Sequence, residues 1–361
     1  MWIFLLLLPF LFPLYSEQYL ALRGDGKVTV WDVETGKLQC CDDLHDYSEP
    51  FVRACCFSGS DKNSIIASMW SNKIFEKKIT RQESFQRMYM KRSVRWKDPV
   101  VQMDSVGDVI AWVSDRDRIY AYNVKTKVVG SRLWRWRKTE DAQEMFSYKN
   151  PRIALCKGDP NILFHWGENN WMEVFGFSDT GDIVLRKEFS VACKNERIVS
   201  CCSIPNLTNE VFVVTRYRYN IWEYMKYIVI NTETGKQLRD WSVLLDSEND
   251  FDCAVISSRD PELALILTKE FIRVVNIKTW EIMFDKNRND YLFVDFDASQ
   301  ENTIMCVSRN GSVTKYNFTT DAEEEKVVKV SNRDLEGAKD VFGNITYPLR
   351  PTHFIYNGNA V

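Results

Sequence analysis

Trp31-Asp32-Val33-Glu34-Thr35-Gly36-Lys37 and Ile230-Asn231-Thr232-Glu233-Thr234-Gly235-Lys236 share one pattern: an apolar residue, Asp or Asn, one variable residue, then Glu-Thr-Gly-Lys. An Asp or Asn side chain can accept hydrogen bonds from backbone amides just ahead of it, which reverses the chain. Glycine then supplies a positive φ where the turn needs one. Shorter copies begin at Asn123 (Asn-Val-Lys-Thr), Asn276 (Asn-Ile-Lys-Thr) and Asn317 (Asn-Phe-Thr-Thr), and degenerate ones near Lys78 and Ser178. Successive copies lie 41 to 55 residues apart. A four-stranded blade needs roughly 40–50 residues, so the interval predicts a β-propeller.

The flanks of each turn agree with that reading. Lys27-Val28-Thr29-Val30-Trp31 and Phe271-Ile272-Arg273-Val274-Val275 run into their turns as strands, and residues 37–41 form the strand that leaves the first one. Longer openings at residues 51–58, 101–105, 197–204, 251–257 and 291–297 supply further strands. No stretch after the N-terminus carries a helical period. The expected fold is all-β: a seven-bladed β-propeller of four-stranded antiparallel blades. The first blade lacks an inner strand at its own end of the chain, and residues 352–359 read as a lone strand plus the start of a turn. A C-terminal strand joining the N-terminal blade would close the ring and remove unpaired edges.

The chain resembles the WD-repeat family of propellers over roughly residues 18–361, with eroded motifs. Trp31-Asp32 reproduces the family's Trp-Asp pair. Elsewhere the pair becomes Tyr122-Asn123, Ile230-Asn231, Val275-Asn276 and Tyr316-Asn317, and no Gly-His dipeptide occurs. The resemblance implies a scaffold that docks protein partners. Missing motif residues imply that the family's polar bracing network is largely replaced by packing, and 45% hydrophobic residues permit this.

Residues 1–16 stand apart as a hydrophobic N-terminal segment, and residues 17–361 read as a single propeller domain. Residues 2–15 are apolar but interrupted by Pro9 and Pro13, and a membrane span needs about 20 such residues. The segment has the length of a signal-peptide core, with Ser16 ahead of a cleavage point; a start codon set upstream of an intracellular propeller accounts for it equally. Ten cysteines lie mostly inside strands, where adjacent residues face opposite sides, so Cys40/Cys41, Cys55/Cys56 and Cys201/Cys202 cannot readily pair. Reduced core thiols fit this pattern and a cytoplasmic or nuclear setting. Asn206, Asn310, Asn317 and Asn344 begin glycosylation sequons, which matter if the chain is secreted.

Little in the chain suggests catalysis, and no cofactor or metal is expected. His45, His165 and His353 are far apart, and no C-x-x-C, H-E-x-x-H, G-x-S-x-G or phosphate-binding glycine loop is present. With 47 Lys and Arg against 50 Asp and Glu, the net charge of −3 argues against a dedicated nucleic-acid binder. Basic-aromatic runs are the candidate partner-binding residues: Arg95 and Trp96; Arg132, Trp134, Arg135, Trp136 and Arg137; and Arg216 and Arg218. Arg, Trp and Tyr dominate interface hot spots, and arginine grips carboxylate or phosphate with two parallel hydrogen bonds. The expected function is a non-catalytic scaffold or adaptor for proteins, including acidic or phosphorylated peptides. A secreted or lumenal propeller binding extracellular proteins or glycans is the alternative.

Overall fold

The computed structural model describes 28 strands from Tyr19–Arg23 to Phe354–Tyr356 and many of the turns between them. Residues 1–18, 89–99, 134–150, 327–353 and 357–361, with several shorter loops, lie outside the described residues. The hydrophobic N-terminal segment is among these.

Strand pairing gives four-stranded antiparallel sheets throughout. The first holds β1 (Tyr19–Arg23), β2 (Lys27–Asp32) and β3 (Leu38–Asp43), with β28 (Phe354–Tyr356) added beside β1. The second holds β4 (Val52–Phe57), β5 (Ser64–Met69), β6 (Ile74–Lys78) and β7 (Gln86–Arg87). The third is β8 (Val100–Val106), β9 (Val109–Ser114), β10 (Arg118–Asn123) and β11 (Val129–Leu133). The fourth is β12 (Arg152–Leu155), β13 (Ile162–Trp166), β14 (Trp171–Phe177) and β15 (Ile183–Ser190). The fifth is β16 (Glu196–Ser203), β17 (Glu210–Tyr219), β18 (Trp222–Asn231) and β19 (Gln237–Leu245). The sixth is β20 (Phe251–Ile256), β21 (Leu263–Thr268), β22 (Phe271–Asn276) and β23 (Ile282–Asn287). The last is β24 (Tyr291–Phe296), β25 (Thr303–Ser308), β26 (Val313–Asn317) and β27 (Ala322–Lys326).

Six of these sheets are shown as blades by pairing and side-chain packing together. The terminal sheet is described by its pairing, with Val30 buried in it. The expectation of seven packed blades is therefore narrowed to six, because most side chains of the terminal sheet lie outside the description. The C-terminal strand does join the N-terminal sheet, with Leu20, Ala21 and Leu22 opposite Tyr356, Ile355 and Phe354. The described strand spans three residues, Phe354–Tyr356. Innermost strands meet around the centre, β28 with β4, β4 with β8, β8 with β12, β12 with β16 and β16 with β20.

A propeller blade is covered on both faces by its neighbours, which explains why its second strand carries little polar alternation. β9, β13 and β21 are buried at every residue, whereas outer strand β23 is largely exposed. Among the described residues, each seam from the second sheet to the seventh is an apolar cluster shared by consecutive blades. Ala111 and Val113 of the third blade pack with Leu155 and Phe175 of the fourth. Phe164 and Trp166 of the fourth pack with Val211 and Ile228 of the fifth, and Phe212 and Tyr227 of the fifth with Ile266 of the sixth.

The recurring turn has the expected chemistry. Asn123 Oδ1 accepts from the amides of Lys125 and Thr126 at 3.0 and 2.9 Å. Asn231 does the same for Glu233 and Thr234, Asn276 for Lys278 and Thr279, and Asn317 for Thr319 and Thr320. In three of these turns the residue four past the asparagine donates its amide back to the asparagine carbonyl: Lys127, Gly235 and Trp280. All three sit in the left-handed region, at φ 60°, 73° and 61°. Gly235 adopts it freely, while Lys127 and Trp280 carry the strain of a side chain there. The copy at Ser178 differs, since the Ser178 hydroxyl accepts from the Asp182 amide and Gly181 holds φ 92°.

Two substitutions test this account. Lys127 is exposed and makes the left-handed turn without packing, so Lys127→Gly should stabilise the fold by about 0.5–1 kcal/mol in urea unfolding. Gly130→Ala should act oppositely. A Cβ there would stand 2.4 Å from the Gly181 carbonyl oxygen of the next blade, forcing two backbones apart and costing about 1–3 kcal/mol.

Candidate partner-docking surface

Side chains on the inner strands reach across seams rather than into open space. The third residue from the end of β8 is Asp104, whose Oδ2 accepts from the Leu155 amide of the next blade at 2.8 Å; its Oδ1 accepts from Ser105 N. Gln102 Oε1 accepts from Ile153 N, and Ser203 Oγ accepts from Lys157 N at 2.7 Å. Strand register puts Cys202 and Asp295 at the same level as Asp104 on their own inner strands. Cys202 Sγ donates to Ala254 O of the sixth blade. Burial pushes the Cys202 thiol up to about 11, the charges of Asp104 and Asp295 add to this, and the Ser200 hydrogen bond and Lys157 oppose it. These groups hold neighbouring blades together. The one described histidine, His165, is buried with Nδ1 2.8 Å from Glu173 Oε2 and its ring edge toward Phe175. Among the described residues no group of three or more His, Cys, Asp and Glu is placed to hold a metal ion.

The outer strands carry a second set of seam contacts. Register assigns Arg132, Phe189, Trp241 and Lys286 one equivalent position on β11, β15, β19 and β23. Each reaches the third strand of the following blade or the turn after it. Arg132 donates to Ile183 O at 3.0 Å and lies 5.4 Å from the Phe175 ring centre. Phe189 packs against Gly235, Trp241 stacks on Trp280, and Lys286 sits 3.7 Å from the Tyr316 ring centre. Arg132, one of the candidate partner-binding residues, therefore has its guanidinium engaged at a seam. Arg95, Trp96, Trp134, Arg135, Trp136 and Arg137 lie outside the described residues.

The fifth blade departs from its neighbours. In the other blades the pairing between second and third strands ends at Val113–Ile119, Trp166–Met172, Leu267–Ile272 or Val307–Val313. In the fifth, the equivalent pair Val214–Tyr227 is followed by five more: Thr215–Lys226, Arg216–Met225, Tyr217–Tyr224, Arg218–Glu223 and Tyr219–Trp222. At about 3.4 Å per residue, this carries the hairpin roughly 17 Å past the level at which its neighbours stop. The flanking strands follow it: β16 begins early, with Glu196 and Arg197 opposite Tyr217 and Arg216, and β19 runs on to Leu245 opposite Glu223.

Alternation separates the two sides of this extension. Val214, Met225 and Tyr227 belong to the cluster shared with the sixth blade, so Arg216 and Arg197 occupy that side. The backbone register places Arg218 one row further out on the same side. On the opposite side Tyr217 and Tyr224 stack directly, ring centres 4.9 Å apart, and the buried Glu196 accepts from Thr215 Oγ1. Arg197 is exposed and Arg216 half-buried. Arg197 was not singled out in the sequence, because its importance comes from the strand it faces.

Of the sequon asparagines, Asn206 is exposed at φ 63°, with Leu207 and Thr208 also exposed. Asn317 commits its amide nitrogen to Glu301 O and Thr303 Oγ1 and its oxygen to the turn. Asn310 and Asn344 lie outside the described residues.

No family model matches the chain, and no curated protein matches it in sequence. Solved structures do share the fold. A chain in the crystal structure of the mitotic checkpoint complex superposes with a TM-score of 0.58 at 11% identity, over 82% of this chain and 82% of that one. The computationally designed Ika8 protein gives 0.52 at 15% identity, over 84% of this chain and 81% of that one. The fold is a β-propeller of four-stranded antiparallel blades. At these identities the likeness carries the fold alone.

Asp104 offers a check on the inner seam. Burial raises its carboxyl above the ordinary 3.8, against the opposing pull of the Leu155 and Ser105 amides and Lys157. The folded chain thus binds that proton more tightly than the unfolded chain. The stability of the parent relative to Asp104→Asn should rise as pH falls from 7 and level off below about 3.8. Urea melts of both chains at pH 7 and 4.5 read this directly, and a parent that loses stability relative to the variant on acidification contradicts it.

Proposed function

We propose that this protein is a non-catalytic interaction platform, a β-propeller of four-stranded blades that docks protein partners. The observation that carries the reading is the extension of the fifth blade. Five additional strand pairs stand beyond the pairing that completes each other blade, on a sheet already long enough to fill its place in the wall. Ordering those residues has a conformational cost of about 1–2 kcal/mol each for the backbone alone, and the seams of the ring do not require them. Tyrosine and arginine crowd this extension, and these residue types supply area, stacking and charge-directed hydrogen bonds at interfaces. Acidic or phosphorylated peptides are the partner class such residues suit.

Two further observations favour a platform over an enzyme. The Asp104 carboxylate at the inner strands accepts backbone amides, and the Cys202 thiol donates across a seam and is held in its neutral form. A solved chain of the same fold, in the mitotic checkpoint complex, is a component of a protein assembly.

The test is a shortened hairpin. Replacing residues 217–224 by Asn-Gly, a two-residue turn compatible with antiparallel strands, keeps the Arg216–Met225 pair and the buried Met225. The expected outcome is a folded chain with a melting temperature within a few degrees of the parent and a partner set, read by proximity labelling in cells, that loses its main members. An unchanged partner set would overturn the assignment.

A further inference from the structure

β19 is the outermost strand of the fifth blade, and among the described residues its sheet ends there. An outer strand presents unpaired amides and carbonyls, so exposed edges are usually short, charged or broken by a bulge. The other described outer strands follow that practice. β3, β15 and β23 each carry a one-residue register shift, after which residues 40–43, 187–190 and 284–287 pair regularly. β7 spans two residues, β11 five, and β27 has three glutamates among its five. β19 has its shift at Leu238, and residues 239–245 then run in unbroken register with β18. Its two charged residues stand at one end and are committed within the blade, Arg239 to Glu210 at 3.3 Å and Asp240 to Lys226 at 3.4 Å.

The direction of its backbone groups follows from the neighbouring turn. Asn231 N donates to Lys236 O on the β19 side, and Thr232 N to Asn209 O on the β17 side. Successive residues of a strand turn their amide and carbonyl to alternate edges, so Val229, Tyr227, Met225 and Glu223 turn theirs to β19. Their partners there are Arg239, Trp241, Val243 and Leu245. Asp240, Ser242 and Leu244 therefore turn theirs to the open edge. Ser242 is the middle of these three and of the unbroken stretch. Its side chain is exposed, while Trp241 and Val243 on the other side of the sheet pack toward the sixth blade.

We propose that β19 pairs antiparallel with β19 of a second copy of this chain, about a two-fold axis at Ser242. Ser242 then faces Ser242 of the partner subunit, and Asp240 faces Leu244 of the partner subunit on either side of the axis. These pairs exchange about six backbone hydrogen bonds. The occupant is a second copy because the edge complements itself. Trp241 stands beside Val243 of the partner subunit, twice over, and sheets favour aromatic residues opposite β-branched ones. No like charges meet. An isologous contact of this kind closes at two copies, and it lies at the rim, so every seam stays intact. The dimer goes beyond the platform reading and does not depend on it.

Sedimentation velocity of the full chain, over about 1 to 200 μM, tests this. The parent should form a reversible dimer with a micromolar dissociation constant. Ser242→Lys and Ser242→Asp each set like charges opposite one another across the axis and should each weaken the dimer about tenfold or more. An equimolar mixture of the two should recover dimers, because opposite charges then meet; only an axis at Ser242 gives that recovery. Ser242→Pro removes an amide directed at the open edge, which an edge strand tolerates, so it should be monomeric and melt within a few degrees of the parent. A parent that stays monomeric throughout overturns the proposal. So does a dimer that either charge variant leaves as tight as before, or a mixture that fails to recover it. Loss of the fold in Ser242→Pro would contradict the outward direction of that amide and overturn the proposed pairing with it.

Discussion

Four of the described blades, the third to the sixth, depend on what their outer strand delivers to the next blade. In the WD-repeat family a polar network braces the blades, and this chain has one Trp-Asp pair and no Gly-His dipeptide with which to build it. The position occupied by Arg132, Phe189, Trp241 and Lys286 does the bracing instead. Its chemistry varies from seam to seam: a guanidinium over Phe175, a phenyl ring against a glycine, an indole on an indole, an ammonium over Tyr316. A large side chain that covers the neighbour's turn is the common requirement. Cation–π and stacked aromatic contacts of this kind contribute about 0.5–2 kcal/mol each, and the apolar clusters beneath them supply the rest.

That dependence explains why glycine and asparagine sit where they do. The turn after each third strand must be small enough for the preceding blade's side chain to close over it. Gly235 leaves room for Phe189, whose Cβ and Cγ would stand 3.0 Å from any added Cβ, and Gly181 comes equally close to Val129 O and Val128. Asparagine secures the turn using its own side chain, so the turn needs no partner from outside. Trp280 shows how far the requirement extends: it tolerates a left-handed backbone and in return offers its indole to Trp241.

The turns were legible in the sequence because one residue and the amides just after it determine them. Asn123, Asn231, Asn276 and Asn317 announce their hydrogen bonds within four positions. Seam contacts were not legible, since they join residues about 30 to 50 apart whose types differ across the four described outer-strand contacts. Arg132 shows the consequence: in sequence it belongs to a basic-aromatic run, and in the fold it is held at a seam. The opening strand of the fourth blade also escaped notice, because β12 has four residues, too few for a pattern. Arg216 stood out by composition, but its pairing with Arg197 depends on an irregular step in β16 between Ile198 and Ser200, and no local rule places such a step.

The fifth blade joins these two kinds of information. Its lower half obeys the seam rule, with Trp241 closing over Trp280 and Phe212 and Tyr227 filling the cluster shared with the sixth blade. Its upper half sets Arg216 opposite Arg197 on the adjoining strand. Each long strand of this hairpin runs ten residues, so it continues past its last seam contact with the alternation intact. The same register that buries Val214 and Met225 therefore fixes Arg216 on the sixth-blade side, and Arg197 with it.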